Sequence, residues 1–268
     1  MDCPACNSKR SFQLKKNTNL GYKQYRCLDC RKQYNERTGT VFNFLNYPTE
    51  VVLLTVFFYY RYKLSLVDVT EMMALRGFLI SHETVRLWSQ LIGTDIGIKF
   101  RVRRKGCCGK DWHMDITYLY VEGRWCYFYR AIDRDSNLID VYLSDTRDEA
   151  AARKFFSTCA ETTDVTPKQI TTDHEKAFPL AITNALGDKV KHRTNKYKNN
   201  IMEQSHRGIK SRASPMKGLK DTWCAMIFCT VFEEIRDFFR LPNCTLAKHR
   251  GNFLSKFQEF ISISKIAA

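Results

Sequence analysis

With 268 residues the chain is long enough for a packed core and suggests one to three domains. Its net charge of +15, from 43 Lys and Arg against 28 Asp and Glu, argues against basic partners and points to a polyanion, nucleic acid ahead of an anionic membrane surface. The longest apolar run, Val51 to Tyr60, is too short to span a bilayer and ends at Arg61, so no membrane association is expected. Met1 is followed at once by Asp2 and Cys3 rather than by a secretory signal, and the 11 cysteines then fit a reducing, cytoplasmic setting.

Cys3-Pro4-Ala5-Cys6 and Cys27-Leu28-Asp29-Cys30 are two C-x-x-C knuckles. Each presents two thiolates, and together Cys3, Cys6, Cys27 and Cys30 make a four-sulfur set for Zn²⁺, whose binding would supply folding free energy to a segment with little core. Four free or disulfide-linked cysteines are the alternative. The basic, aromatic spacer suits a ribbon lying on nucleic acid, or one used structurally or for protein contacts.

Thr49 reads as the cap of a helix running to about Tyr62, with Glu50 at its positive end. A second helix spans about Leu66 to Leu75. After Gly77, Ser81 caps a third, His82 to about Leu91, with Val85, Trp88 and Leu91 inward and His82, Arg86 and Gln90 outward. Two short helices joined through a glycine-containing turn match a helix-turn-helix, which assigns those three outward residues to DNA; an ordinary helical hairpin has the same pattern. Lys99 to Gly106 reads as a basic linker in which Arg103, Arg104 and Lys105 follow a DNA backbone, or as a solvated connector. The adjacent Cys107 and Cys108 lack knuckle spacing and are assigned no metal.

From Trp112 the periodicity changes to that of strands. Asp111 to Val121 places His113, Asp115, Thr117 and Leu119 on one face, and turns at Gly123. Strands follow from Trp125 to Ile132 and Leu138 to Leu143. A helix from Asp148 to about Thr162 comes next, then a short strand, Gln169 to Thr172, ending at Asp173. A helix near Phe178-Pro179, a strand around Val190 and a last helix from Asn200 complete the order. Three strands, helix, strand, helix, strand, helix is the order of an α/β, RNase H-like fold with a mixed five-stranded sheet. The expected organisation is a zinc ribbon over 1–46, a helix-turn-helix domain over 47–98, a catalytic domain over 99–240 and a tail over 241–268. Phe253, Phe257 and Phe260 in that tail suggest an amphipathic helix for self-association.

In such a fold Asp115 in mid-strand, Asp173 at the end of the fourth strand and Glu203 on the last helix converge. Three crowded carboxylates repel one another, and divalent cations, Mg²⁺ or Mn²⁺, relieve this while accepting phosphate oxygens as further ligands. Each acid alone has an ordinary alternative: Asp115 as partner of a sheet cation, Asp173 as a turn cap, Glu203 as a dipole partner. Arg207 and Lys210 share the helix with Glu203 and would meet phosphates. Asp133 and Asp135 read as turn residues.

These residues resemble the DDE transposases of bacterial and archaeal insertion sequences, in particular insertion-sequence family six. The similar stretches are Arg61-Tyr62-Lys63-Leu64-Ser65, Trp112-His113-Met114-Asp115, Gly123-Arg124-Trp125, Tyr127 through Asp135, Thr172-Asp173 and Tyr197 through Gln204. The resemblance covers roughly Val51 to Leu241. It implies an RNase H-like catalytic domain, Mg²⁺ dependence, binding to terminal inverted repeats in double-stranded DNA, replicative transposition, and Asp115, Asp173 and Glu203 as the catalytic triad. A dimer or larger homo-oligomer is expected, because two DNA ends must be handled together, in a prokaryotic nucleoid. One departure is Ile116, where the family usually has Glu. A DNA-binding regulator without catalysis, and a nuclease or resolvase on the same fold, are the competing readings.

Overall fold

The computed structural model describes residues 1–173, 175–194, 200–213, 218–240 and 246–265, with backbone alone at 200–205, 246–247 and 249. β1 (Ser11–Gln13), β2 (Gln24–Cys27) and β3 (Gln33–Asn35) form a small antiparallel sheet in that order. Strands this short bury little: the core here is Cys3, Cys27 and Tyr34, with Tyr25 and Cys30 packed against them. The cysteines therefore hold the centre of the unit.

α1 (Thr49–Arg61) is apolar around its circumference and lies buried, as a helix without a polar face must. Its cap is Pro48, not Thr49, whose hydroxyl instead accepts a hydrogen bond from Tyr22 at 3.0 Å. α2 (Leu66–Ala74) opens with a reciprocal capping box between Ser65 and Asp68. α3 (His82–Arg103) is capped by Ser81, which accepts from the Thr84 amide at 3.1 Å. Its buried face steps through Val85, Trp88, Ile92, Ile96 and Phe100. Leu91, expected inward, is 56% exposed, because the true stripe passes through Ile92. A Cβ on Gly93 would stand 2.8 Å from the Tyr60 ring, so glycine is what lets α1 approach α3.

The sequence boundary between 98 and 99 falls inside α3, and most of the expected basic linker is helix. Arg104 donates to Glu234 and, through Nη1, to the carbonyls of Leu138 and Ile139 at 3.0 and 2.7 Å. Arg103 forms an ion pair with Glu259. Two of the three cations expected on DNA thus pair with intramolecular acids, and Lys105 is exposed with no ion pair among the described residues.

β4 (Asp111–Val121), β5 (Arg124–Asp133), β6 (Leu138–Ser144), β7 (Gln169–Thr172) and β8 (Lys191–Thr194) form a five-stranded sheet in the order β6-β5-β4-β7-β8. The first three pair antiparallel; β7 runs parallel to β4, and β8 parallel to β7. This is the mixed sheet of an RNase H-like fold. Asp133 ends β5 as a turn organiser: its carboxylate accepts from the amides of Gly109, Asp135 and Asn137 at 2.8 to 2.9 Å. α4 (Glu149–Thr163) and α5 (Phe178–Leu186) cover one sheet face, where Trp112, Met114, Tyr129, Phe155 and Phe156 form a core. The other face packs Leu119, Val121, Phe128 and Leu143 beneath α3 and α7 (Thr222–Phe238). α6 (Asn200–Ala213) lies beside β4.

α8 (Leu246–Lys265) corrects the expectation for the tail. Its aromatic stripe is covered by the chain itself: Phe257 and Phe260 lie 4.9 and 5.6 Å from Phe57 between ring centroids, and Phe253 stacks near Phe239 at 5.6 Å. It is not free for self-association. Among the described residues no helix is long and apolar enough to cross a membrane.

Candidate active site and cysteine cluster

Asp115 sits midway along β4, held in place by pairing with β5 over the whole strand. β7 pairs with β4 only from Asp111↔Gln169 to His113↔Thr171. Continued by two residues, this register sets Asp173 opposite Asp115, just where β7 has ended and the chain can turn away. Burial first, and then the negative charge of Asp115, hold the Asp173 carboxyl above the usual carboxylate range. Asp173 Oδ1 accepts from the Glu175 amide at 3.3 Å, and Asp115 Oδ1 from the Ile116 amide at 2.8 Å.

The third acid, Glu203, lies on α6, and its side chain is outside the described residues. Three residues further on the same helix, the buried imidazole of His206 brings Nε2 to 3.3 Å from Asp115 Oδ2. α6 thus turns His206 towards β4. Arg207 and Lys210 are exposed on the same helix.

Sequence reasoning missed two residues here. Arg147, in the turn between β6 and α4, forms an ion pair with Glu175 and donates to the Tyr118 hydroxyl at 2.8 Å. Its positive charge also acts on Asp173. His206 has nothing in the sequence to mark it beyond its helical spacing from Glu203. An arginine in a turn has no periodicity to mark it; only tertiary structure brings Arg147 to the acids.

The residues assigned to DNA on α3 divide. His82 is exposed and Arg86 half-buried, the latter paired with Glu83. Gln90 is turned inward and donates to Cys224 Sγ on α7 at 3.0 Å. The more exposed stripe of α3 is apolar, running through Leu87, Leu91, Ile98 and Val102.

The four knuckle cysteines bring their sulfurs within 4.8 Å of one another. Cys3 to Cys30 is 3.5 Å and Cys6 to Cys27 is 3.6 Å, far beyond the ~2.05 Å of a disulfide. A tetrahedron with Zn–S bonds of about 2.3 Å has edges of about 3.8 Å, so the cluster could hold such a metal. Amides of Cys30 and Asp29 draw the Cys27 thiol down to about 6. Although the Ser8 amide favours a thiolate at Cys6, the thiols of Cys30, Cys27 and Cys3 push it up to about 12. Four sulfurs this close cannot all ionise without a cation between them. Asp115 and Asp173 pose the same problem in oxygen, the donor set of a hard divalent ion.

The DDE domain family DDE_Tnp_IS240 matches residues 109–241. The transposase for insertion sequence-like element IS431mec of Staphylococcus aureus is 32% identical over 175 residues, covering 64% of this chain and 77% of that protein. Among solved structures, a chain of the simian T-cell lymphotropic virus intasome in complex with PP2A regulatory subunit B56 gamma aligns over 53% of both chains, at 16% identity and a TM-score of 0.40. The HTLV-2 integrase catalytic core domain in complex with magnesium aligns over 53% of this chain and 94% of its own, at 15% identity and a TM-score of 0.38. The chain belongs to the DDE transposases of insertion-sequence family six.

Proposed function

We propose that the protein binds the terminal inverted repeats of an insertion sequence and catalyses Mg²⁺-dependent strand cleavage and strand transfer, with Asp115, Asp173 and Glu203 as the carboxylate set and Mn²⁺ able to substitute. The observation that supports this reading is the charge of Asp115 felt at Asp173, two residues beyond the last pair of the β4–β7 register, His113↔Thr171. Divalent ions held by these carboxylates would supply activation of the attacking water or 3′-hydroxyl and stabilisation of the leaving oxygen. Asp115 contributes from a strand paired on both sides at its start, which fixes its position. Asp173 contributes from a strand end, and Glu203 from α6. His206 beside Asp115 Oδ2 orients that carboxylate, while Arg147 screens Asp173 and holds Glu175. Arg207 and Lys210 would contact phosphates, which fix the register of a duplex without reading its sequence.

Zn²⁺ in the Cys3, Cys6, Cys27 and Cys30 cluster would fold the ribbon, and the ribbon with His82 and Arg86 would recognise DNA ends. A working dimer, needed to handle two ends, is supported by the apolar stripe of α3: Leu87, Leu91, Ile98 and Val102 lie on one side of a 22-residue helix and face solvent. A nucleoid location follows from the net charge and the DNA substrate.

A strand-transfer assay with end-containing oligonucleotides and Mg²⁺ tests the proposal. Asp115→Ala, Asp173→Ala and Glu203→Ala should each abolish joining while end binding persists. Joining by all three variants would refute the site; cleavage without joining by the unmodified protein would make it a nuclease.

A further inference from the structure

The β4–β7 register runs from Asp111 to His113, and at the far end of β4 an isolated bridge joins Val121 to Leu219. A groove of about 870 Å³ opens beside this far half of β4, within the roughly 300–1,000 Å³ of ligand pockets. One wall is aromatic. Tyr118 faces Tyr127 across the β4–β5 pair at 5.4 Å between centroids, and Tyr120 faces Trp125 at 5.2 Å. Trp125 is 63% exposed and Tyr120 52%.

The other wall is cationic. Lys210 of α6 lines the groove, two helical turns beyond Glu203. Behind the lining residue Tyr118, Arg147 donates to its hydroxyl and pairs with Glu175, two residues past Asp173. The aromatic wall is therefore physically linked to the acids.

We propose that this groove is a stacking platform for unpaired nucleobases of the DNA strand lying at the acid site, with Tyr120 and Trp125 receiving base faces and Lys210 the adjoining phosphates. This rests on the carboxylate reading above and adds the form of its substrate. A paired base hides its faces inside the duplex, whereas an unpaired one offers a flat apolar surface beside a phosphate. That combination matches an aromatic wall opposed by a lysine, and stacking of this kind tolerates any base sequence. A second copy of the chain would leave Lys210 and Arg147 beside a surface of the same strongly positive charge.

The test is made without divalent metal, so that it does not depend on catalysis. Fluorescence anisotropy would compare three duplexes: one carrying a short thymine overhang, one with the same overhang made abasic, and one blunt. The unmodified protein should bind the thymine overhang about tenfold more tightly than the abasic one. Trp125→Ala and Tyr120→Ala should erase that preference yet bind the blunt duplex normally, and Trp125→Phe should keep most of it. Asp115→Asn should keep it as well, which separates failure of the platform from failure of the acid site. Equal binding of thymine and abasic overhangs by the unmodified protein would overturn the proposal. So would a preference retained in Trp125→Ala, or a change of oligomeric state in that variant with overhang binding unaltered.

Discussion

Replacing Asp173 with Asn probes the crowding of acids without altering shape. Asn keeps an oxygen for the Glu175 amide and removes only the charge that faces Asp115. Neighbouring strands lie about 4.8 Å apart, so two carboxylates roughly 5 Å apart repel by about 3 kcal/mol at an effective dielectric of 20 and about 0.8 kcal/mol at that of water. Asp173 is half-buried, which favours the lower part of that range, about 1 kcal/mol. In a protein of this size this corresponds to about 2–4 °C in melting temperature. The sign follows from linkage. Folding raises the Asp173 pKa, so the native state bears the full penalty at neutral pH and loses it as pH falls through the raised value. Metal-free Asp173→Asn should therefore melt higher than the unmodified protein at pH 7, with an advantage that shrinks on acidification. Mg²⁺ should raise the melting point of the unmodified protein and do so less in the variant. Scanning calorimetry over a pH series reads all of this. A variant that melts lower at pH 7, or by the same margin at every pH, would refute the reasoning.

Three further outcomes are expected. Arg104→Ala should cost about 1–3 kcal/mol, because Glu234 loses its bidentate partner and keeps only Arg101, while the salt dependence of DNA binding stays unchanged; a shallower salt slope with normal stability would return Arg104 to the DNA. Zinc uptake by the metal-free ribbon should fall as pH drops below about 6, where Cys27 takes up a proton, and Cys27→Ser should lose the metal, as read by elemental analysis. Ile98→Glu should dissociate the dimer in analytical ultracentrifugation without unfolding the chain, since Ile98 is solvent-facing; an unchanged sedimentation coefficient would remove α3 from the interface.

Much of the catalytic fold was legible because strands and helices leave different periods in the sequence. The alternation around Asp115, the short strand ending at Asp173 and the alanine-rich segment that became α4 each carried their own signal. The knuckle spacing likewise pointed to the sulfur cluster, since the pairs fold locally. What escaped depended on partners remote in sequence. Arg103 and Arg104 look like a DNA-facing tract until Glu259 and Glu234, more than a hundred residues away, are brought against them. The same charges concealed the second half of α3, because a helix that buries Ile96 and Phe100 on one side can carry cations on the other. The phenylalanines of α8 showed an apolar stripe but not what would cover it, and the answer was Phe57 and Phe239 of the same chain. Arg147 had no local signal at all.

The central claim is that segments around residues 115, 173 and 203 surround one cation site. Iron(II) bound in place of Mg²⁺, with ascorbate and peroxide, cleaves the backbone beside the atoms that hold it. The account predicts three cleavage clusters, near Asp115, Asp173 and Glu203, all suppressed by excess Mg²⁺ and weakened together by Asp115→Asn. Cleavage near Asp115 and Asp173 with none on α6, or clusters that Asp115→Asn affects separately, would contradict it.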